Sequence, residues 1–220
     1  MGSITRSFAN NIGSSGILTA SAVTNATVED VTSFDNAASS ATLVLLSTQT
    51  ASASATISFT TGLDSTYDEY IFKFIDIHPA TDNAFFTFNM STDSGSNYNV
   101  TKTSSAFRAY HNEADTLTAL EYTTADDLAQ STAFQRLLPE IGNANDASAS
   151  GVLTIFNPSS TTYVKHFISY GNVNHDSNFS INHFIAGYGN TTSAVNAIQF
   201  KFSSGNIDDG IIKLYGVKKS

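Results

Sequence analysis

Apolar and polar residues alternate with a period of two in several short stretches of this chain, the pattern of strands that bury one face. Ile198, Phe200 and Phe202 fall on one side of such a stretch, with Gln199, Lys201 and Ser203 on the other. Val164, His166, Ile168 and Tyr170 alternate with Tyr163, Lys165, Phe167 and Ser169. Apolar residues stand on both sides of this second stretch, which predicts a central strand. The same reading predicts strands at 43–49, 55–60, 70–77, 85–91, 106–111, 151–156, 163–170, 179–186, 197–202 and 211–217.

Turn-forming clusters punctuate these stretches at 61–65, 93–97, 157–160 and 203–206, where Gly, Asn, Asp and Ser accept left-handed or side-chain-bonded geometry. Between 115 and 145 the alternation lapses. There Asp126 and Asp127, ahead of Leu128, predict a short helix running to Leu138 and stopped by Pro139. Short strands at close spacing predict an all-β fold, an antiparallel, jelly-roll-like β-sandwich over residues 41–220.

Residues 1–40 read differently. Ile4, Phe8, Ile12, Leu18, Val23 and Phe34, with Ile17, Val28 and Val31 between them, are dispersed among small polar residues. That density cannot close a core, so the segment is expected to be an extended N-terminal anchoring arm whose apolar residues bind a partner.

Composition sharpens this picture. Sixteen Phe and nine Tyr supply a core, while only 13% of residues are charged, leaving a surface of Ser, Thr, Asn and Gly. The net charge of −9 repels phosphate backbones and anionic membranes, so nucleic acid is not an expected partner. The absence of Cys excludes disulfides, thiolate catalysis and Cys-ligated zinc. The absence of Trp argues against a sugar site built on indole, although Tyr can take its place. No apolar run suits a signal peptide or a membrane span. Assembly inside a cell, release by lysis and no membrane insertion are the corresponding expectations.

Candidate chemistry is sparse. His166 and His183 sit in predicted strands on apolar faces and read as core histidines; His78, before Pro79, marks a strand exit. His111 with Glu113 and His175 with Asp176 are the His–carboxylate neighbours, but side chains that alternate along a strand point apart. Glycoside hydrolysis needs paired carboxylates, for which Asp68, Glu69, Asp76, Glu113, Glu121 and Glu140 are candidates whose separation only a fold can supply. The loops 64–69 and 143–146 offer hard oxygen ligands for calcium but match no EF-hand and read as solvated turns. No nucleophile elbow, phosphate loop or zinc-protease motif occurs. Catalytic residues, cofactors and metal ligands are therefore assigned to none, with calcium as the one ion considered. Several N-x-S/T sequons, such as Asn178-Phe179-Ser180, are the chance product of a chain rich in these residues.

Three stretches carry a resemblance: Ile4-Thr5-Arg6-Ser7-Phe8-Ala9-Asn10-Asn11, the block from Tyr70 through Ser94-Gly95-Ser96-Asn97-Tyr98, and the ending from Ser204-Gly205-Asn206 through Leu214-Tyr215-Gly216-Val217. Together they resemble virion structural proteins of marine and cyanobacterial phages, tail-fibre proteins in particular. The resemblance implies a virion location, an arm that anchors to other virion proteins and an exposed β domain. It supplies no functional residues. The expected function is non-enzymatic attachment and particle assembly by a homotrimer, with a host surface glycan as a further partner. The alternatives are a capsid decoration or head-fibre protein, a carbohydrate-binding module and a glycan depolymerase.

Overall fold

The computed structural model describes residues 42–219; Ile4, Phe8, Ile12, Leu18, Val23 and Phe34 lie outside them. Among the described residues twelve strands follow in order: β1 Leu43–Thr50, β2 Ile57–Phe59, β3 Glu69–Pro79, β4 Ala84–Ser91, β5 Lys102–Asn112, β6 Thr118–Tyr122, β7 Gln135–Ile141, β8 Ala149–Phe156, β9 Lys165–Asn174, β10 Phe179–Gly189, β11 Ala197–Phe202 and β12 Ile207–Val217. They form an eight-stranded sheet in the order β1-β12-β3-β8-β9-β10-β5-β6 and a four-stranded sheet in the order β2-β11-β4-β7. All pairings are antiparallel. The protein is an antiparallel β-sandwich.

A phenylalanine cluster joins the sheets. The Phe200 ring of β11 lies 5.3 Å from Phe72 and from Phe74 of β3, 5.7 Å from Phe86 of β4 and 6.1 Å from Phe59 of β2. All five are buried. Most of these contacts are edge-to-face, the arrangement that aligns a positive ring edge with a negative ring face. The alternation of Ile198, Phe200 and Phe202 is what delivers them to one side of β11.

Strand β9 lies between β8 and β10, as a central strand should. Its inward side carries Lys165, Phe167 and Ser169, while His166, Ile168 and Tyr170 face solvent. His166 is therefore not a core histidine. Lys165 takes the inward place because its Nζ caps the carbonyls of Tyr163, at 2.6 Å, and Thr191, at 3.2 Å. His183 is fully buried, as its strand period predicts.

The expected helix over 126–138 is absent; the chain forms turns there and then strand β7. Pro139 sits inside that strand, which is tolerated because β7 is an edge strand paired only with β4. Consecutive Leu137 and Leu138 are both buried, which erases the alternation that marks a strand. Leu138 enters a notch made by Gly171 of β9 and its cross-strand partner Gly151 of β8. A Cβ at Gly171 would lie 2.5 Å from Leu138 Cδ2 and 2.7 Å from the Ser150 carbonyl oxygen, so only glycine fits. Strand β6 was also not foreseen: it turns Leu120 and Tyr122 to solvent and Glu121 towards Arg108.

Candidate functional site

Two features stand out, one on the outer surface of the large sheet and one in the cleft at its β5–β6 end. On the outer surface, cross-strand register aligns Tyr170 of β9, Phe184 of β10, Phe107 of β5 and Tyr122 of β6 in a single row. Phe107 and Phe184 stack with centroids 4.8 Å apart and planes within 8°; Phe184 and Tyr170 stack at 6.0 Å. Ile168 and Leu120 extend the apolar area to either side. No Asp, Glu, Lys or Arg stands among the outward-facing residues of β9, β10, β5 and β6. Charge begins at the margin, where Asp127 accepts the Tyr122 hydroxyl at 2.5 Å and Asp115 lies 2.9 Å from His111 Nε2.

In the cleft, Arg108 of β5 donates through Nε to Glu121 at 2.8 Å and through Nη1 to Glu140 at 3.3 Å. Burial works against the guanidinium charge, but the two carboxylates outweigh it and raise its pKa. Glu140 also meets His175 Nε2 at 3.0 Å. Its backbone is held at φ +47°, a left-handed conformation a non-glycine residue rarely adopts, and this kink directs the carboxylate between Arg108 and His175. A cavity of about 160 Å³ opens beside them, lined in part by Tyr110, Leu117, Phe179 and Ile181.

Deeper in the same region Asp126 is buried. It accepts from Arg136 at 3.0 Å and lies 3.3 Å from His183 Nε2, whose other ring nitrogen meets the Leu137 carbonyl at 2.8 Å. The His183–Asp126 approach is too poorly aligned for a hydrogen bond. Burial alone would raise the Asp126 pKa; the His183 ring and the Arg136 guanidinium overcome it and hold the carboxyl below its ordinary range.

Of the carboxylates proposed from sequence, the fold brings Glu121 and Glu140 together on one arginine and places Asp76 elsewhere, beside a cavity of about 360 Å³ shared with His78, Asp146 and Asp209. Arg108 ties β5 to Glu121 of β6 and Glu140 of β7 in one ion network. His175 corrects the expectation that its neighbour points away: it lies in a turn after β9, where Asp176 Oδ1 comes within 2.7 Å of Nδ1. His111 reaches Asp115 rather than Glu113.

The loops considered for calcium already use carboxylate oxygens in hydrogen bonds within the protein. Asp64 Oδ1 accepts from the Thr66 amide at 2.8 Å and the Tyr70 hydroxyl at 2.9 Å, bonds that hold its pKa below the usual value. The Asn143 amide donates to Asp82 at 3.0 Å. Among the described residues, no group of three or more His, Asp or Glu side chains is placed to hold a metal ion. Sequence reasoning missed the aromatic row because its members come from two hairpins, β5–β6 and β9–β10, far apart along the chain; the β10–β5 register is the signal that assembles them.

The fold and these sites define an all-β sandwich with a polar ion network at one end and an uncharged aromatic surface on its larger sheet. No protein-family model, no curated protein and no solved structure matches the chain.

Proposed function

We propose that this chain is a non-enzymatic virion surface protein of a phage, a tail-fibre-like or related appendage component that acts in attachment and particle assembly. The carrying observation is the uncharged outer surface of β9, β10, β5 and β6 with its row of Tyr170, Phe184, Phe107 and Tyr122. Contiguous exposed apolar surface of this kind marks an interaction site, because a protein that acts alone gains solubility by interrupting it. The resemblance in the opening, central and closing stretches supplies the virion context, and the pairing of Glu121 and Glu140 with one arginine favours a binding role over hydrolysis.

The test is negative-stain microscopy and sedimentation of the full chain beside a chain beginning at Ala41, together with a viscosity assay on bacterial surface polysaccharide. Regular assemblies of the full chain, reduced by removal of the first 40 residues, support the reading. Loss of polysaccharide viscosity overturns it in favour of a depolymerase.

A further inference from the structure

We infer that the outer surface of β9, β10, β5 and β6 is a homotypic interface, where the same patch of a second copy of this chain packs around a two-fold axis. The inference rests on the assembly reading above and names the partner and the surface.

Ring orientation is the first argument. The 4.8 Å between the Phe107 and Phe184 centroids matches the ~4.8 Å spacing of neighbouring strands, and their planes differ by 8°. Phe184 therefore has a stacked neighbour on each adjoining strand, Phe107 on β5 and Tyr170 on β9. A pyranose ring binds aromatic residues by lying on a ring face, and the faces of the middle ring of this run are engaged by its neighbours. With Ile168 and Leu120 beside them, the rings offer an apolar surface that suits protein side chains.

Area is the second. Phe107 is 45% exposed, Tyr122 54% and Tyr170 50%, with Ile168 at 47% and Leu120 at 73%. Taking ~200 Å² for a large side chain, these five leave roughly 500 Å² of mainly apolar surface open to water. A standard interface buries ~800 Å² per partner, of which ~60% is apolar, or about 480 Å². The patch is the size of one side of such an interface.

Charge is the third. The chain carries a net charge of −9, so two copies repel each other over most of their surface. The outward residues of these four strands carry no Asp, Glu, Lys or Arg, and acidic side chains stand at the margin, at Glu113, Asp115 and Asp127. A patch cleared of charge on an acidic chain is one on which like can meet like. A single patch that is its own complement forms a closed two-fold pair rather than the three-fold ring expected from sequence.

The experiment is sedimentation equilibrium of the full chain, wild type beside Phe107→Glu, Tyr170→Glu and the control Thr161→Glu, an exposed turn position outside the patch. Thermal melts verify folding, since both test positions are on the surface. The expected result is a dimer for wild type and control, with self-association weakened at least tenfold in the two patch variants. A monomeric wild type overturns the inference, as does a patch variant that associates like wild type. Calorimetric titration of wild type with cellohexaose separates the competing occupant: binding that Tyr170→Glu abolishes assigns the surface to carbohydrate and also overturns it. Full-chain association that persists in both patch variants but is lost on removal of the first 40 residues sinks this interface while the proposed function stands.

Discussion

Lys102 Nζ, buried at the start of β5, donates to Asn89 Oδ1 at 2.5 Å and to the Val100 carbonyl at 2.8 Å, with no carboxylate among these partners. Burial lowers its pKa from 10.5 to about 7. The unfolded chain keeps the proton between those two values while the folded chain has released it, so stability rises as pH increases from 7 towards 10.5. One proton gives at most about 1.4 kcal/mol per pH unit. Lys165, also lowered by burial, acts in the same direction. Urea titrations at neutral and alkaline pH are expected to show wild type gaining stability and Lys102→Met gaining distinctly less. Equal gains in both would contradict the buried-amine account.

Asn89 is the acceptor in that pair and a junction besides. Its Nδ2 donates to the Tyr98 carbonyl at 2.7 Å and the Thr132 carbonyl at 2.9 Å, and its Oδ1 also accepts the Met90 amide at 2.9 Å. Asn89→Leu leaves these buried groups unpaired and is expected to cost ~3 kcal/mol by chemical denaturation. A loss below ~1 kcal/mol would mean that water replaces the side chain.

Asp126 contributes to stability at acid pH. Its carboxyl is held below its ordinary pKa in the folded state, so the stability it contributes is present above that ordinary value and is lost as pH falls through the folded one. Asp126→Asn is expected to lower stability at neutral pH and to flatten its decline as pH falls through and below the ordinary carboxyl range. Acid titration followed by circular dichroism checks this; a variant with the wild-type profile would remove Asp126 from the account.

Gly171 tests the notch beneath β7. Gly171→Ala places a methyl group 2.5 Å from Leu138 Cδ2 and 2.7 Å from a backbone oxygen that cannot yield. Destabilisation of ~2 kcal/mol is expected, read as a lower melting temperature. The companion Leu138→Ala opens space and, in the double variant, should recover part of the Gly171→Ala loss.

At the centre of the sandwich, Phe200→Ala withdraws the ring that touches both sheets and is expected to cost ~3–5 kcal/mol. Thermal unfolding measures it. A loss below ~1 kcal/mol would show that the sheets are joined elsewhere.

Legibility varied along the chain for identifiable reasons. The 198–202 stretch was readable because one face of β11 meets the core and the other does not. Turns at Gly62, Gly95, Asn157 and Gly205 were readable because their positive φ angles, +86°, +88°, +43° and +70°, favour the residues found there. Strand β7 was not, since Leu137, Leu138, Pro139 and the left-handed Glu140 interrupt every period. His166 and Lys165 were exchanged between faces because hydropathy does not count the carbonyls that a buried ammonium can find.

What the sequence determined by itself is the all-β class, the central place of β9 and the sandwich core, because these follow from local alternation and from turn residues whose backbone needs are local. The tertiary structure decided the rest. Arg108 meets Glu121 and Glu140, and Tyr170, Phe184, Phe107 and Tyr122 form one row, only because strand order and register bring distant segments side by side. Turn geometry sets register within the β5–β6 and β9–β10 hairpins, but the pairing of β10 with β5, and the approach of Glu140 to Arg108, join segments that no local pattern connects.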